Sequence, residues 1–478
     1  MSGSTGSPMI RFPLRQRHVS KLGEIFVNGA GRFFLTDEPA AMRLQADNYT
    51  DDDGRFLEKH GHLASEVGSL AAISNQYQVA ARNMVADRLN YLILVPTLRC
   101  NLSCSYCQVS RADEKQPGFD WSNETLGQVL AFIDGLETNS IKIEFQGGEP
   151  TLRLDLIEAV IERCARFDHA EFVICTNLSR VSDDLIALLA RPDIFISTSL
   201  DGDRLVHEEQ RTRSGGETDQ FFSNLERVIA ACGSSRVSAL PTIDQVSPPD
   251  IDSLLDAYGG YGFSHIFLRP INYQGFARKR HPASRDDHRS WWDYYDAFIK
   301  RMIERNYANR EHCFEETYLT LCLKRIFRLG VDGHVDLRNP NPVGVDYIVI
   351  DYDGAIYPTD EARMLTRSGV VDLRIGSLLD GYDSDIRQML NSHSTTHGDP
   401  ACDNCAYQPY CGRDLIDDLS RYGRIDTPRH QTFFCQKHMH IFDLCMRLIY
   451  SEDAAIQYSL AKWLGLSGDR LPAQARLL

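Results

Sequence analysis

The sequence predicts an α/β fold built on a parallel sheet, with a small N-terminal α+β unit and a cysteine-rich C-terminal extension. Three observations predict it. From Tyr91 to about Ile271, short apolar runs (YLILVP, IKIEFQ, EFVICT, IFISTSL, RVSALPTI, HIFLRPI) alternate with longer amphipathic ones. The short runs have strand length and are rich in Ile, Val and Phe, and the longer ones carry helical periodicity. Strands separated by helices pair in parallel through right-handed crossovers. The rhythm alone fits an open doubly wound sheet and a barrel equally. The cysteines, finally, are clustered: Cys100, Cys104 and Cys107 follow the first strand, and Cys402, Cys405 and Cys411 lie together near the other end.

At 478 residues the chain has room for two or three domains, and 43% hydrophobic with 24% charged residues is the balance of a globular protein. No apolar run approaches the ~20 residues that cross a bilayer, and the start lacks the features of a secretion signal. The expected location is the cytoplasm, with no membrane partner. A net charge of -15 excludes proteins that grip a nucleic-acid backbone through a basic field. Thirteen cysteines without a secretion signal point to metal or redox chemistry rather than a disulfide scaffold.

Taken in order, residues 1–9 read as a disordered tail or tag. Residues 10–88 form a leading unit: a hairpin, EIFVNGAGRFFLT, turning near Asn28-Gly29, then a short helix and a polar stretch, YTDDDGR, read as a loop. Its hairpin edge is a candidate for taking up a peptide as an extra strand. Residues 89–280 carry the strand-helix alternation. Residues 281–345 hold helices around Trp291 to Asn306 and Glu315 to Leu329. Residues 346–445 open with a hairpin-like IVIDYDGAIYP and contain Cys402 to Cys435, and residues 446–478 close the chain as a helical tail.

The loop carrying Cys100, Cys104 and Cys107 follows a strand, at the strand ends where active sites collect in barrels and open sheets alike. Three close thiolates can hold three irons of a 4Fe-4S cluster and leave the fourth open to a small ligand. A closed zinc site needs a fourth ligand, and no histidine or further cysteine lies nearby; a zinc site borrowing a distant ligand, or incidental thiols, is the alternative.

Cys-x3-Cys-x2-Cys with Tyr106 before the last cysteine resembles the signature of the radical S-adenosylmethionine enzymes. The resemblance implies a partial (β/α)6 barrel. It also implies a cluster whose free iron chelates S-adenosylmethionine, and a 5'-deoxyadenosyl radical that abstracts hydrogen from carbon. FQGGEPTL resembles the family's Gly-Gly-Glu-Pro motif, so Gly147, Gly148, Glu149 and Pro150 are expected around the methionine ammonium. Ser199 and Asp201 in SLDG, with Arg211 beyond them, resemble the ribose and carboxylate contacts. Leu268, ending the sixth strand, falls where the family lines its adenine pocket. An external electron donor of flavodoxin or ferredoxin type is implied too.

CDNCAYQPYC places three thiols in Cys-x2-Cys-x5-Cys spacing, and Cys435 is a fourth. Four thiolates close a site, and by ligand type zinc suits it as well as iron-sulfur. The run resembles the SPASM extension of radical S-adenosylmethionine enzymes that modify peptides and proteins, among them the anaerobic sulfatase maturases. The sequence departs from that pattern at Leu415 and Thr359, where further cysteines are usual. Both departures strike the same auxiliary cluster, so a single auxiliary 4Fe-4S cluster is expected. Asp360 occupies the place of the maturases' catalytic carboxylate, and a solvated acidic residue is its plainer reading. Buried free thiols are expected at Cys164, Cys175, Cys232, Cys313, Cys322 and Cys445, with Cys313 and Cys322, which precede the extension, also candidates to lend it a ligand.

PTLRCNLSCSYCQVSRA, FQGGEPTL and YPTDEARML, with the leading hairpin unit, resemble the His-Xaa-Ser system radical S-adenosylmethionine maturases. That implies modification of a ribosomally made precursor peptide, by an oxidative crosslink such as a cyclophane. A formylglycine-forming maturase, an enzyme acting on a small molecule and a non-enzymatic metal-binding module are the alternatives.

Overall fold

In the computed structural model, residues 10–478 are described, apart from 65, 67, 86, 87, 286–288 and 328–334. The leading tail 1–9 lies outside the described residues, as does the end of the helix expected to reach Leu329. Asn28 turns the expected hairpin, its side-chain oxygen accepting the N–H groups of Ala30 (3.1 Å) and Arg32 (3.0 Å). Strands β1 (Leu14–Val19), β2 (Gly23–Asn28) and β3 (Phe33–Thr36) form an antiparallel sheet. Helices α1 (Glu38–Gln45), α2 (Asp51–Lys59) and α3 (Leu70–Arg82) complete the leading unit.

The stretch read as a loop, YTDDDGR, starts α2 instead. Thr50 and Asp53 cap each other's backbone N–H groups, and Asp51, Asp52 and Asp53 stand at the positive end of the helix dipole, so acidic residues that look like loop chemistry stabilise a helix start.

The central sheet follows. Its strands are β4 (Tyr91–Thr97), β5 (Ser140–Gly147), β6 (His169–Cys175), β7 (Ile194–Ser199) and β8 (Val237–Leu240), all parallel. Helices α4 (Asn123–Asp134), α5 (Leu154–Arg163), α6 (Asp183–Leu189), α7 (Gly215–Cys232) and α8 (Ile251–Gly260) lie between or after them. Alternate residues face the helices: Ile141, Ile143 and Phe145 of β5 and Phe172 and Ile174 of β6 are buried in the main core with Leu156, Ile157 and Val160 of α5. Each such side chain contributes about 1.5–3 kcal/mol on burial. The other row, Lys142, Glu144 and Gln146 on β5, is only half-buried and faces the lumen.

The sixth strand is split. His265–Ile266 pairs with Glu315–Glu316, and Arg269–Pro270 pairs with Thr242–Ile243. Helices α9 (Arg289–Ala308) and α10 (Thr317–Phe327) pack beyond it. The hairpin expected to open the cysteine-rich region belongs to the barrel sheet. Strand β9 (Tyr347–Ile350) pairs in parallel with β4, and β10 (Ala355–Tyr357) and β11 (Gly376–Ser377) continue outward, giving the order β8-β7-β6-β5-β4-β9-β10-β11. Helix α11 (Asp360–Arg367) follows β10 in the chain and packs against α12 (Leu415–Tyr422). Helices α13 (Phe433–Ile449) and α14 (Ala454–Trp463) then lead to β12 (Arg476–Leu477), which pairs with β3. That pairing covers the hairpin edge expected to be open, and leaves β1 as the outer strand of the leading sheet.

Candidate active site

The chain leaves β4 through a short bridge, Arg99–Cys100, and then carries Cys104 and Cys107 around a loop. The loop is pinned from three sides. The Ser105 N–H donates to the Gln210 carbonyl (2.9 Å), the Phe276 N–H to the Cys107 carbonyl (3.0 Å), and Arg280 Nη1 to the Cys104 carbonyl (3.0 Å). In its middle Tyr106 is 6% exposed and sits between two charged partners. Its hydroxyl donates to Asp201 Oδ2 (2.6 Å) and accepts from Arg211 Nη1 (2.7 Å). Asp201 Oδ1 accepts the Thr242 N–H (2.9 Å), so Asp201, 0% exposed, ties the loop to the ends of β7 and β8.

This places Asp201 behind the loop, as its support, rather than as an exposed ligand contact. Arg211 lies on a π-helical turn, Glu208–Thr212, an irregularity that re-aims side chains and is frequent at functional sites. Burial disfavours its charge, but Cys104, Tyr106 and Asp201 hold it firmly protonated. The Arg211 Nε, both ring nitrogens of the buried His207 and the Gln210 side-chain oxygen have no hydrogen-bond partner. A buried guanidinium with a spare donor beside three thiols fits an anionic ligand group.

Gly147 and Gly148 run against this loop. Gly147 has φ +140°, and a Cβ there would stand 2.2 Å from the Thr97 carbonyl; at Gly148 it would stand 2.2 Å from the Arg99 carbonyl. The glycines therefore serve the close approach of β5 to the cysteine-bearing segment, whose carbonyls accept the Gly148 and Glu149 N–H groups at 3.0 and 2.8 Å. Glu149 faces inward, accepting from the Thr151 hydroxyl (2.7 Å) and the Asn177 N–H (2.7 Å). Pro150 begins the 3-10 turn that Glu149 caps. Ser199 ends β7 on the lumen row. Leu268 is 3% exposed, and its N–H donates to the buried Glu316 carboxylate (3.1 Å).

Asn177 was not anticipated. Its amide lies 3.8 Å from Cys100 Sγ and donates to Asn101 (2.9 Å); its position just past a strand end is the only sequence signal it carries. Burial pushes the Cys100 thiol up to about 12, with Glu149, Cys104 and Cys107 adding to it, and burial raises Cys104 as well. Loading metal must therefore expel protons.

Cys402, Cys405, Cys411 and Cys435 line one cavity of about 690 Å³, with Arg17, Arg429 and Met439. Cys402 rides the helical turn Pro400–Asp403, and Cys435 the first turn of α13. Arg429, ion-paired to Asp418 at 2.6 Å and almost wholly buried, supplies positive charge to the thiols. Burial lifts Cys402 and Cys435 to about 11. Cys313 and Cys322, which stand just ahead of this region in the chain, do not line the cavity. Among the described residues no three His, Cys, Asp or Glu side chains are drawn together around a single ion.

The positions where two further cysteines are usual have other work. The Thr359 hydroxyl accepts the Ala362 N–H (3.0 Å) and caps α11. Leu415 is buried with Ile416, Ala362, Leu365 and Val343 in one apolar cluster. Asp360, one residue on, accepts two hydrogen bonds from the fully buried Arg363 (2.9 and 2.7 Å) and lies within electrostatic reach of Cys175 at the end of β6. Its neighbour Glu361 is lifted to about 7 by burial, with Asp360 and Asp336 adding to the rise.

Residues 94–257 match the sequence model of the Radical SAM superfamily. A cysteine-type anaerobic sulfatase-maturating enzyme of Clostridium novyi is 22% identical over 342 residues, 68% of this chain and 86% of that one. The chain spans only 41% and 58% of the length of two uncharacterized archaeal relatives, from Methanocaldococcus jannaschii and Methanothermobacter thermautotrophicus. Among solved structures, anSMEcpe with bound AdoMet superposes with a TM-score of 0.59 at 17% identity, over 74% of this chain and 97% of that one. Streptococcus suis SuiB bound to precursor peptide SuiA gives 0.52 at 14% identity, over 89% of this chain and 100% of that one. At these identities the likeness is one of fold. The superfamily's cofactors, a 4Fe-4S cluster and S-adenosylmethionine, fit the three loop thiols and the partnerless Arg211 Nε beside them. With sheet, cysteine loop and sequence match in agreement, residues 94–257 of this chain form a radical SAM domain set in a mixed α/β fold.

Proposed function

We propose that this chain is a radical S-adenosylmethionine enzyme that modifies a ribosomally synthesised precursor peptide, by oxidative crosslinking of side chains. The observation that carries the reading is the pair of thiol groups: three on a strand-end loop at the radical SAM domain, and four lining one cavity apart from it. When bound, the loop cluster and its S-adenosylmethionine supply a carbon radical that removes a hydrogen atom from substrate. Cys100, Cys104 and Cys107 hold the cluster, Tyr106 and Asp201 fix the loop, and Arg211 presents positive charge to the ligand's carboxylate. Gly147, Gly148, Glu149 and Pro150 shape the wall beside it, with Ser199 at the end of β7 and Leu268 in the break of the split sixth strand. Cys402, Cys405, Cys411 and Cys435 hold one auxiliary cluster, an electron acceptor; the capped Thr359 and packed Leu415 support a single one. Asp360, at the position of the maturases' carboxylate, is ion-paired to the fully buried Arg363 and anchors that guanidinium, leaving the substrate proton to another carboxylate of the lumen.

The leading unit binds the precursor through the β1 edge, since β12 covers the other. We place the enzyme in the cytoplasm, supplied by a flavodoxin- or ferredoxin-type donor; among the described residues no helix is long and apolar enough to cross a membrane.

The test is anaerobic reconstitution with S-adenosylmethionine, reductant and a precursor peptide encoded beside the gene. About eight irons per chain, 5'-deoxyadenosine and a peptide lighter by two hydrogens are expected. Formylglycine in the product, or zinc in the four-thiol cavity, would overturn the assignment.

A further inference from the structure

Joining two side-chain carbons removes two hydrogens in all. One leaves as an atom. The other leaves as an electron, to an iron-sulfur centre of the kind the four-thiol cavity fits, and as a proton, which needs a base in the lumen and a way out. Asp360 is ion-paired through Oδ1 to the fully buried Arg363, a cation. Another carboxylate stands on the lumen row of β5 with neutral partners. Glu144 Oε1 accepts from Gln146 Nε2 (2.6 Å) and from the Cys175 thiol (3.3 Å), and Oε2 accepts the Tyr91 hydroxyl. Those groups come from three adjacent strands, β4, β5 and β6, so the carboxylate bridges the lumen wall.

Tyr91 begins β4 and also lines a cavity of about 870 Å³ at the foot of the barrel, with Asn90, Lys142, Arg338, Asp346 and Tyr347. The titratable and charged groups facing Glu144 and Tyr91 are Cys175, Lys142 (whose ammonium lies 5.2 Å over the Tyr91 ring), Tyr347 and, across the mouth, Asp360.

We propose that Glu144 accepts the substrate proton in the lumen and discharges it through the Tyr91 hydroxyl into the cavity at the barrel foot. The proton passes from substrate to Glu144, from Glu144 to the phenol oxygen, and the phenol gives up its own proton to the cavity. Carboxylate and phenol end as they began. Cys175 stays a thiol, because burial and Glu144 both push it far from ionising, and it orients the carboxylate. The proposal rests on the crosslinking reading and names the base and exit route within it.

The holoenzyme is tested with precursor peptide, as product formed per 5'-deoxyadenosine. Glu144→Gln is expected to lower product formation about 100-fold while 5'-deoxyadenosine continues to form. Tyr91→Phe is expected to give a smaller loss, and formate is expected to restore product in Glu144→Ala. Product at the wild-type ratio in Glu144→Gln, or no response to formate, overturns the proposal. So does loss of product in Asp360→Asn alone. A second measurement needs no substrate: the infrared S–H band of Cys175, identified by its absence in Cys175→Ser, must shift in Glu144→Gln. A wild-type protein that modifies no peptide counts against the crosslinking reading alone if that shift is present, and against both if it is missing.

Discussion

Cys100, Cys104 and Cys107 hang on a loop after β4, whereas Cys402, Cys405, Cys411 and Cys435 are gathered from a helical turn, a loop and the start of α13 around one cavity. The first group is backed by buried charge: Tyr106, Asp201 and Arg211 form a chain behind it, and Arg211 keeps a donor without a partner. The second is backed by Arg429, which is ion-paired to Asp418 and whose Nε likewise has no hydrogen-bond partner. Three thiols leave one iron of a 4Fe-4S cluster open to a ligand; four thiols close a site. Under the proposed function, the open group serves the chemistry and the closed group takes up the substrate electron.

The sharpest way to break this comparison is to remove each group in turn. Replacing Cys100, Cys104 and Cys107 together with alanine should abolish 5'-deoxyadenosine formation and leave about four irons per chain. Continued cofactor cleavage in that variant would refute the division. Cys435→Ala should do the converse. Cleavage should persist, iron should fall by about four, and peptide product should vanish because the substrate electron has no acceptor. Iron analysis and mass spectrometry on one preparation check both.

Much of the first region was legible in the sequence. The strand-helix rhythm placed Cys100 at a strand end, and SLDG with the later Arg211 marked the residues that meet around Tyr106. What could not be read was which of these face a ligand. Asp201 is 0% exposed because the Tyr106 hydroxyl and the Thr242 N–H take its oxygens, pairings across 95 and 41 residues that no local pattern carries. The glycines of GGEP were legible as close-approach residues, but the neighbour they approach is the Thr97–Arg99 backbone. In the second region the spacing gave the donors. The hairpin 347–357 was legible as a hairpin, but its pairing with β4 is decided by register across some 250 residues of chain.

A smaller effect tests what supports the first region from behind. Glu316, fully buried, accepts the Leu268 N–H and the Tyr295 hydroxyl (2.6 Å), and burial pushes its carboxyl up to about 7. The native state therefore keeps a proton that the unfolded chain has lost above its ordinary range of ~4.3. Stability from this group is complete below that range and falls as pH rises to about 7, by on the order of 3 kcal/mol. Glu316→Gln should flatten denaturant midpoints across that window. An unchanged slope would show that Glu316 does not titrate there.

The smallest expected effect compares one phenol in each region. Tyr106→Phe removes the hydroxyl that bridges Asp201 and Arg211, leaving Asp201 Oδ2 and Arg211 Nη1 buried without it, at a cost of about 1–3 kcal/mol. Tyr407 makes a similar bond to Asp443 (2.7 Å), but Asp443 also takes two hydrogen bonds from Arg17 (3.1 and 2.6 Å) and is partly exposed. Tyr407→Phe should therefore cost about 1 kcal/mol or less, because its partner stays satisfied. The variants should also part in function. Tyr106→Phe loosens the loop that presents three thiols and should weaken S-adenosylmethionine binding, read as a raised KM for cofactor cleavage in the absence of peptide, while Tyr407→Phe should leave that KM unchanged. Equal losses of stability, or equal KM values, would mean that the buried chain behind the first loop is packing like any other and that the contrast between the two regions lies in their thiols alone.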